Sequence, residues 1–259
     1  MRERYGDITL TVHDHVALAV IDRPPHNHAT VELLRDLADA LNDVDADKQL
    51  RCTVLATAGK SFCAGADFST DIGDSIFRED GTSLFYDQAV RLFSTRKPIV
   101  VAVQGAAIGA GLGLSLIADF RIAAPEARFS ANFVKLAFHP GFGITYVLPR
   151  LIGQQRASLM CLTGRRVKPD EALAYGLVDQ VVPAEQLREA AMKLAAEIAE
   201  NGPLAVEMTR ATLRDDLAAK VKAQTVKESM AQAALRKTKD FAEGVLAVRE
   251  RRPGNFRGE

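Results

Sequence analysis

The stretch PIVVAVQGAAIGAGLGLSLIADFRIA, residues 98–123, decides how this chain reads. Its first part, IVVAVQ (99–104), is an apolar run of the length and composition expected of a strand buried on both faces. Gly105 breaks that run, the small residues of GAGLGLSLIADF (109–120) predict a helix, and FRIAA (120–124) and ARFSA (127–131) read as two further short runs. Strand, turn, helix and strand in so short a stretch point to parallel pairing, because each parallel connection needs a crossover.

Towards the amino terminus the same grammar holds. ITLTV (8–12) and VALAVI (16–21) flank the polar His13-Asp14-His15 as the two arms of a hairpin. After Pro24-Pro25, residues Val31, Leu34, Leu37, Ala38 and Leu41 recur at helical spacing behind Thr30, a suitable N-cap, which predicts a helix ending near residue 46. CTVLAT (52–57) is a second buried strand running into Gly59 and the turn FCAGADF (62–68), and a helical segment precedes residue 99. Beyond Pro183 the pattern becomes helical throughout: AEQLREAAMKLAAEIAE (184–200), a break at Asn201-Gly202-Pro203, then helices over about 204–217 and 219–249 and a basic tail. The expected division is a core over 1–200 and a helical region over 201–259, which is too small for a strong core of its own and must pack on the rest or on another subunit.

The 259 residues carry 33 Lys plus Arg against 33 Asp plus Glu, so nothing global favours nucleic acid or an anionic membrane. Three cysteines without CxxC spacing suggest neither a disulfide framework nor a thiolate metal site. No run reaches the roughly 20 apolar residues of a membrane span and no signal-peptide core is visible, so the expectation is a soluble, cytoplasmic protein with no metal.

Gly105, Gly109, Gly111 and Gly113 punctuate a strand-to-helix junction, where backbone can approach a ligand closely and the first helical amides lack intrahelical acceptors. Tight helix packing alone is the alternative use of such glycines. A dinucleotide fingerprint does not fit, since Gly109-Ala110-Gly111-Leu112-Gly113 has the wrong spacing, and no Lys-Ser or Lys-Thr follows to make a P-loop.

At these turns the chain resembles the crotonase superfamily, the enoyl-CoA hydratase/isomerase family. The resemblance covers nearly the whole sequence: Ile21-Asp22-Arg23-Pro24-Pro25 with Asn27, the FCAGAD turn, the 98–123 segment, LPRLIG (148–153), LTGRRVKPDEALAYGLVDQVV (162–182) and RERRPGNF near the end. It implies an α/β spiral of repeated strand-strand-helix turns with a carboxy-terminal helical region, assembly as a homotrimer or dimer of trimers, and a coenzyme A thioester as substrate with no permanently bound cofactor. It also implies an oxyanion hole made by the main-chain amides of Ala64 and Ala110. Gly65, Ala66, Asp67, Gly109, Gly111, Gly113 and Phe133 would line the substrate groove, and Arg251 would meet the CoA phosphates.

Hydratases of this family carry two glutamates for general acid–base work. At the positions aligned with them this chain has Gly113 and Phe133, and the position eight residues after Phe133, used by some isomerases, is Gly141. His139 is the nearest titratable candidate for proton transfer, and Asp67, Asp71 and Asp74 follow the first turn. The leading expectation is an acyl-CoA-acting enzyme of the hydratase/isomerase type that stabilises a thioester enolate, with a different reaction such as isomerisation or thioester hydrolysis, or acyl-CoA binding without turnover, as the alternatives. Asp119 reads as a structural acid, Cys63 as a buried inert thiol, and His26 and His28 as loop residues without a third partner for a metal.

Overall fold

The computed structural model describes residues 2–67, 78 and 82–259. Short strand β1 (Arg4–Tyr5), β2 (Ile8–His13) and β3 (Val16–Ile21) form an antiparallel meander, and β2 runs through His13 so that Asp14 and His15 make the turn. Asp14 takes a left-handed conformation, φ 53°, which Asp tolerates better than most residues. From β3 the pairing turns parallel through β4 (Cys52–Thr57), β5 (Ile99–Val103), β7 (Phe120–Ala123) and β9 (Gln180–Val181), giving a seven-stranded sheet in the order β1-β2-β3-β4-β5-β7-β9.

The middle strands are buried on both faces, which is why they read as continuous apolar runs. On one face Val16, Leu18, Cys52, Val54, Ala56, Val100 and Ala102 meet helix α7 (Leu187–Ala199) through Leu187, Ala191, Ala195 and Ala199, a stripe spaced by four residues. On the other face Ala17, Ala19, Ile21, Leu55, Val101 and Val103 join the larger core with α1 (Val31–Ala46) and α2 (Leu84–Phe93). The Thr30 hydroxyl accepts from Leu33 N at 3.1 Å and caps α1, as expected.

One element lies in the stretch expected to be turn and helix. Ala106–Ile108 forms strand β6, which pairs in parallel with β8 (Arg128–Ser130), and only Ala110–Ser115 is helical (α3). Isolated bridges extend this second layer from Cys63 to Ala107 and from Phe129 to Val167. A 3-10 turn (Asn132–Leu136) leads to α4 (Ile144–Ile152), α5 (Gln154–Thr163) and α6 (Pro169–Tyr175).

The carboxy-terminal region is α8 (Pro203–Arg214), α9 (Leu217–Leu235) and α10 (Lys239–Arg249). The single helix expected over 219–249 is therefore two, because the Thr238 hydroxyl accepts from Phe241 N at 3.1 Å and starts a new helix. Asp119 behaves as the structural acid expected: it accepts from Ile99 N at 2.8 Å, from Arg210 Nε at 2.8 Å and from Arg214 at 3.1 Å, tying α8 to the sheet. Fully buried Val221 carries α9 into the main core.

Candidate functional site

The two glycine turns meet backbone to backbone. Cys63 N donates to Ala106 O at 2.8 Å, and Ile108 N donates back to Cys63 O at 3.0 Å, so the first turn lies against β6 as an added strand. Gly111 packs so close that a Cβ there would overlap the Cys63 carbonyl. On the far side of the first turn, Ala29 N donates to Gly65 O at 2.9 Å and Asp67 N to Ala29 O at 3.1 Å. Gly109 sits at φ 56° and donates to Ser130 O at 2.8 Å, which turns the chain from β6 into α3 and makes Ala110 its first helical residue. Ala64, Gly65, Ala66, Gly109, Ala110 and Gly111 thus occupy one place.

Their amides are not equivalent. Ala64 N donates to His26 O at 3.0 Å, so the amide expected in the oxyanion hole already has a partner. Among the described residues neither Ala66 N nor Ala110 N has an acceptor. Asn27 explains why: buried at φ 51°, it donates to Ala58 O and Ser61 O, each at 2.8 Å, and accepts from Arg23 N at 2.9 Å. That clamp fixes the His26 carbonyl under Ala64. Asn27 stood out in the sequence only through the family likeness, since a lone Asn after Pro-Pro carries no spacing signal.

The surroundings of Gly113, Phe133 and Gly141 differ. At Gly113 a Cβ would stand 2.5–2.7 Å from Phe142 Cγ, Cβ and Cδ1, so an aromatic ring takes the volume of any side chain there. Phe133 is buried, with Cζ 3.8 Å from the Cβ position of Gly109, which places its ring over the start of α3. Gly141 lies under the Tyr86 hydroxyl, which donates to Gln232 Oε1 at 2.7 Å. Burial raises the Tyr86 hydroxyl well above its ordinary value, and the nearby Glu228 adds to this. Phe142 and Tyr86 carried no sequence signal: both reach the site from segments whose placement depends on tertiary packing.

The remaining candidates have these surroundings. His139 is half-buried and its Nδ1 lies 2.7 Å from Pro140 O, which requires the proton on Nδ1 and leaves Nε2 as the acceptor in the neutral ring. Arg251 is exposed just beyond α10, at φ 56°. Asp67 lies 3.4 Å from Arg23, which also faces Asp7 at 3.4 Å. An open cavity of about 440 Å³ there is lined by Asp7, Glu32, Asp36 and Asp67 with Arg23, an acidic surround ill-suited to phosphate. Asp71 and Asp74 lie outside the described residues. Cys63 is fully buried and desolvation pushes its thiol up to about 11, so it is not a ready nucleophile. His26 and His28 meet edge to face at 5.6 Å, and no cluster of three metal-ligating side chains occurs among the described residues. No helix among them is long and apolar enough to cross a membrane.

A family model described as enoyl-CoA hydratase/isomerase matches residues 11–259. The chain is similar to the (E)-benzylidenesuccinyl-CoA hydratase of Thauera aromatica, 36% identical over 260 residues that cover 97% of this chain and 99% of that one. It is also similar to the crotonyl-CoA hydratase of Syntrophomonas wolfei, 34% identical over 257 residues covering 97% and 98%. Among solved structures, an enoyl-CoA hydratase/isomerase from Pseudoalteromonas atlantica T6c superposes with a TM-score of 0.88 at 31% identity, covering 97% of this chain and 100% of that one.

Proposed function

The chain belongs to the enoyl-CoA hydratase/isomerase family of the crotonase superfamily, and on that premise we propose that it holds an acyl-CoA with the thioester carbonyl between the amides of Ala66 and Ala110. The observation that carries this reading is that these two amides, on turns packed against each other, have no acceptor among the described residues. Ala66 replaces Ala64 in this role because the Ala64 amide is spent on His26. Charge that develops on the thioester oxygen as an enolate forms would be met by two fixed donors, each worth about 3–4 kcal/mol of barrier.

The proton-transfer partner is a separate matter. With Phe142 against Gly113 and an aromatic side chain at 133, no carboxylate can position water from either familiar place. His139, whose Nε2 is free of the Pro140 contact, is the candidate base for reactions at the α carbon. Hydration of simple enoyl-CoA esters should therefore run at least about 10²-fold below that of a hydratase with both glutamates. A second reading, an acyl-CoA binder without turnover, is favoured by the same filled positions.

Self-association through 201–259 is part of the reading. Leu204 and Met208, one helical turn apart on α8, are 74% and 72% exposed, an apolar pair suited to a neighbouring subunit in a trimer or dimer of trimers. Arg251 would then meet the CoA phosphates.

Ala110→Pro tests the site, because proline is tolerated at the first helical position and puts a ring methylene in place of the donor hydrogen. Calorimetry with butyryl-CoA should show binding weakened at least tenfold, and any turnover of crotonyl-CoA should disappear, while circular dichroism stays unchanged. Undiminished binding in a folded variant would refute the assignment. Turnover of crotonyl-CoA by the unaltered chain that His139→Ala abolishes would decide for catalysis, and tight butyryl-CoA binding with no turnover would decide for the binder.

A further inference from the structure

Gly113 lies three residues beyond Ala110 and shares its face of α3. Two aromatic rings bracket that face: Phe133 over Gly109 at the start of the turn and Phe142 over Gly113 at its end. Phe142 is 1% exposed and is held edge to face by Phe85 at 6.0 Å and Phe93 at 6.4 Å.

The backbone that presents Phe142 is fixed as firmly as the ring. Phe142 has φ 65°, a conformation costly for a residue with a Cβ, which persists only where its surroundings impose it. The imposition comes from three side chains spaced four residues apart on α9. Gln232 Nε2 donates to His139 O at 2.7 Å, and Glu228 accepts from Gly143 N at 2.7 Å and from Thr145 N at 3.0 Å. Gln224 Nε2 donates to the Thr145 hydroxyl at 2.8 Å. The segment 139–145 is thus pinned on both sides of Phe142, so its backbone cannot move aside without breaking these hydrogen bonds, and Phe85 and Phe93 hold the ring itself.

Resting on the acyl-CoA reading above, we propose that Phe142 is the specificity-determining residue of this site, a fixed wall that admits thin acyl groups, straight or planar, and excludes those branched at the second or third carbon. The thioester carbonyl at Ala110 directs the following carbons along the face that Phe142 closes. With no side chain at 113, the shape of the ring alone sets the width there.

Dissociation constants for butyryl-CoA, 2-methylpropanoyl-CoA and 3-methylbutanoyl-CoA, measured on the full chain, test this. The unaltered protein should prefer butyryl-CoA over both branched esters by at least tenfold. Phe142→Ala should bring that ratio to within about threefold of one, with Phe142→Leu in between, and with affinity for free coenzyme A unchanged. Should Phe142→Ala fail to fold, the Leu variant decides by the same ratio. Equal binding of straight and branched esters by the unaltered protein, or a ratio unmoved within twofold in a folded variant, overturns the proposal and leaves the acyl-CoA reading standing. A folded, unaltered protein that binds none of the three esters overturns both.

Discussion

Gly111 and Gly113 sit two residues apart in the same six-residue helix and serve opposite partners. Gly111 makes room for backbone, the Cys63 carbonyl of the first turn, and Gly113 makes room for a side chain, the ring of Phe142. The first contact builds the site and the second shapes what fits in it. Backbone cannot yield without moving a strand, whereas a ring, though held in place here, can be replaced by substitution, so one contact is obligatory and the other is a choice available to mutation.

Adding one methyl group at each position should separate the two. Gly111→Ala forces the two turns apart and should cost about 3 kcal/mol or more, at the upper end for overpacking, read as a fall in the urea midpoint together with lost butyryl-CoA binding. A cost below about 1 kcal/mol would show that the turns can part freely.

The wall behind Phe142 should respond to pH through Glu228. Burial raises its carboxyl from an ordinary 4.5 to about 7, against the lowering pull of its bonds from Thr145 and Gly143. Below pH 4.5 the group is neutral folded and unfolded, and no ionisation penalty applies. As pH rises to 7 the unfolded chain ionises while the folded one stays protonated, so stability falls by at most about 3 kcal/mol and then levels off. Tyr86 and Cys161, whose protons burial also retains, the latter to about 11, do not titrate in that window. The stability difference between the unaltered protein and Glu228→Gln, taken by urea titration from pH 4 to 8, should show this slope. A flat difference would mean that the folded and unfolded chains hold the Glu228 proton alike, without the upward shift.

The smallest effect belongs to Gly113→Ala, whose nearest contacts are with the Phe142 side chain and which should cost about 1–2 kcal/mol. In a double-mutant cycle Phe142→Ala, which removes the Cγ and Cδ1 that meet position 113, should relieve at least about 0.5 kcal/mol of it. Additive losses would show that the ring is not what fills the space at 113.

Much of this architecture was legible from local signals. The hairpin, the Thr30 cap, the buried strands β4 and β5 and the alanine stripe of α7 each depend on residues close in sequence, and the structure keeps them. Strand β6 was hidden because it is only three residues long and two of them, Ala106 and Ala107, carry no strand preference, so its pairing with β8 supplies it. The break at Thr238 was obscured by apolar spacing that continues on both sides of it, although a threonine two residues before Asp240 is a helix-start signal. The buried face of α9, with Thr225, Glu228, Ser229 and Gln232, runs against hydrophobic patterning, and Glu228 and Gln232 are accommodated by partners distant in the chain.

The sequence by itself determined the family, the two glycine turns and the lack of acids at 113, 133 and 141, because these are statements about which residues stand in which order. Only the tertiary structure decided that the amide of Ala66 rather than Ala64 is open, and that Phe142 and Tyr86 lie against Gly113 and Gly141. Which amide is spent depends on the His26 carbonyl, thirty-eight residues away and fixed by Asn27, and the ring that fills Gly113 arrives from a segment held by α9. Hydrogen-bond satisfaction and close packing are settled between segments remote in sequence, and motif spacing carries no record of them.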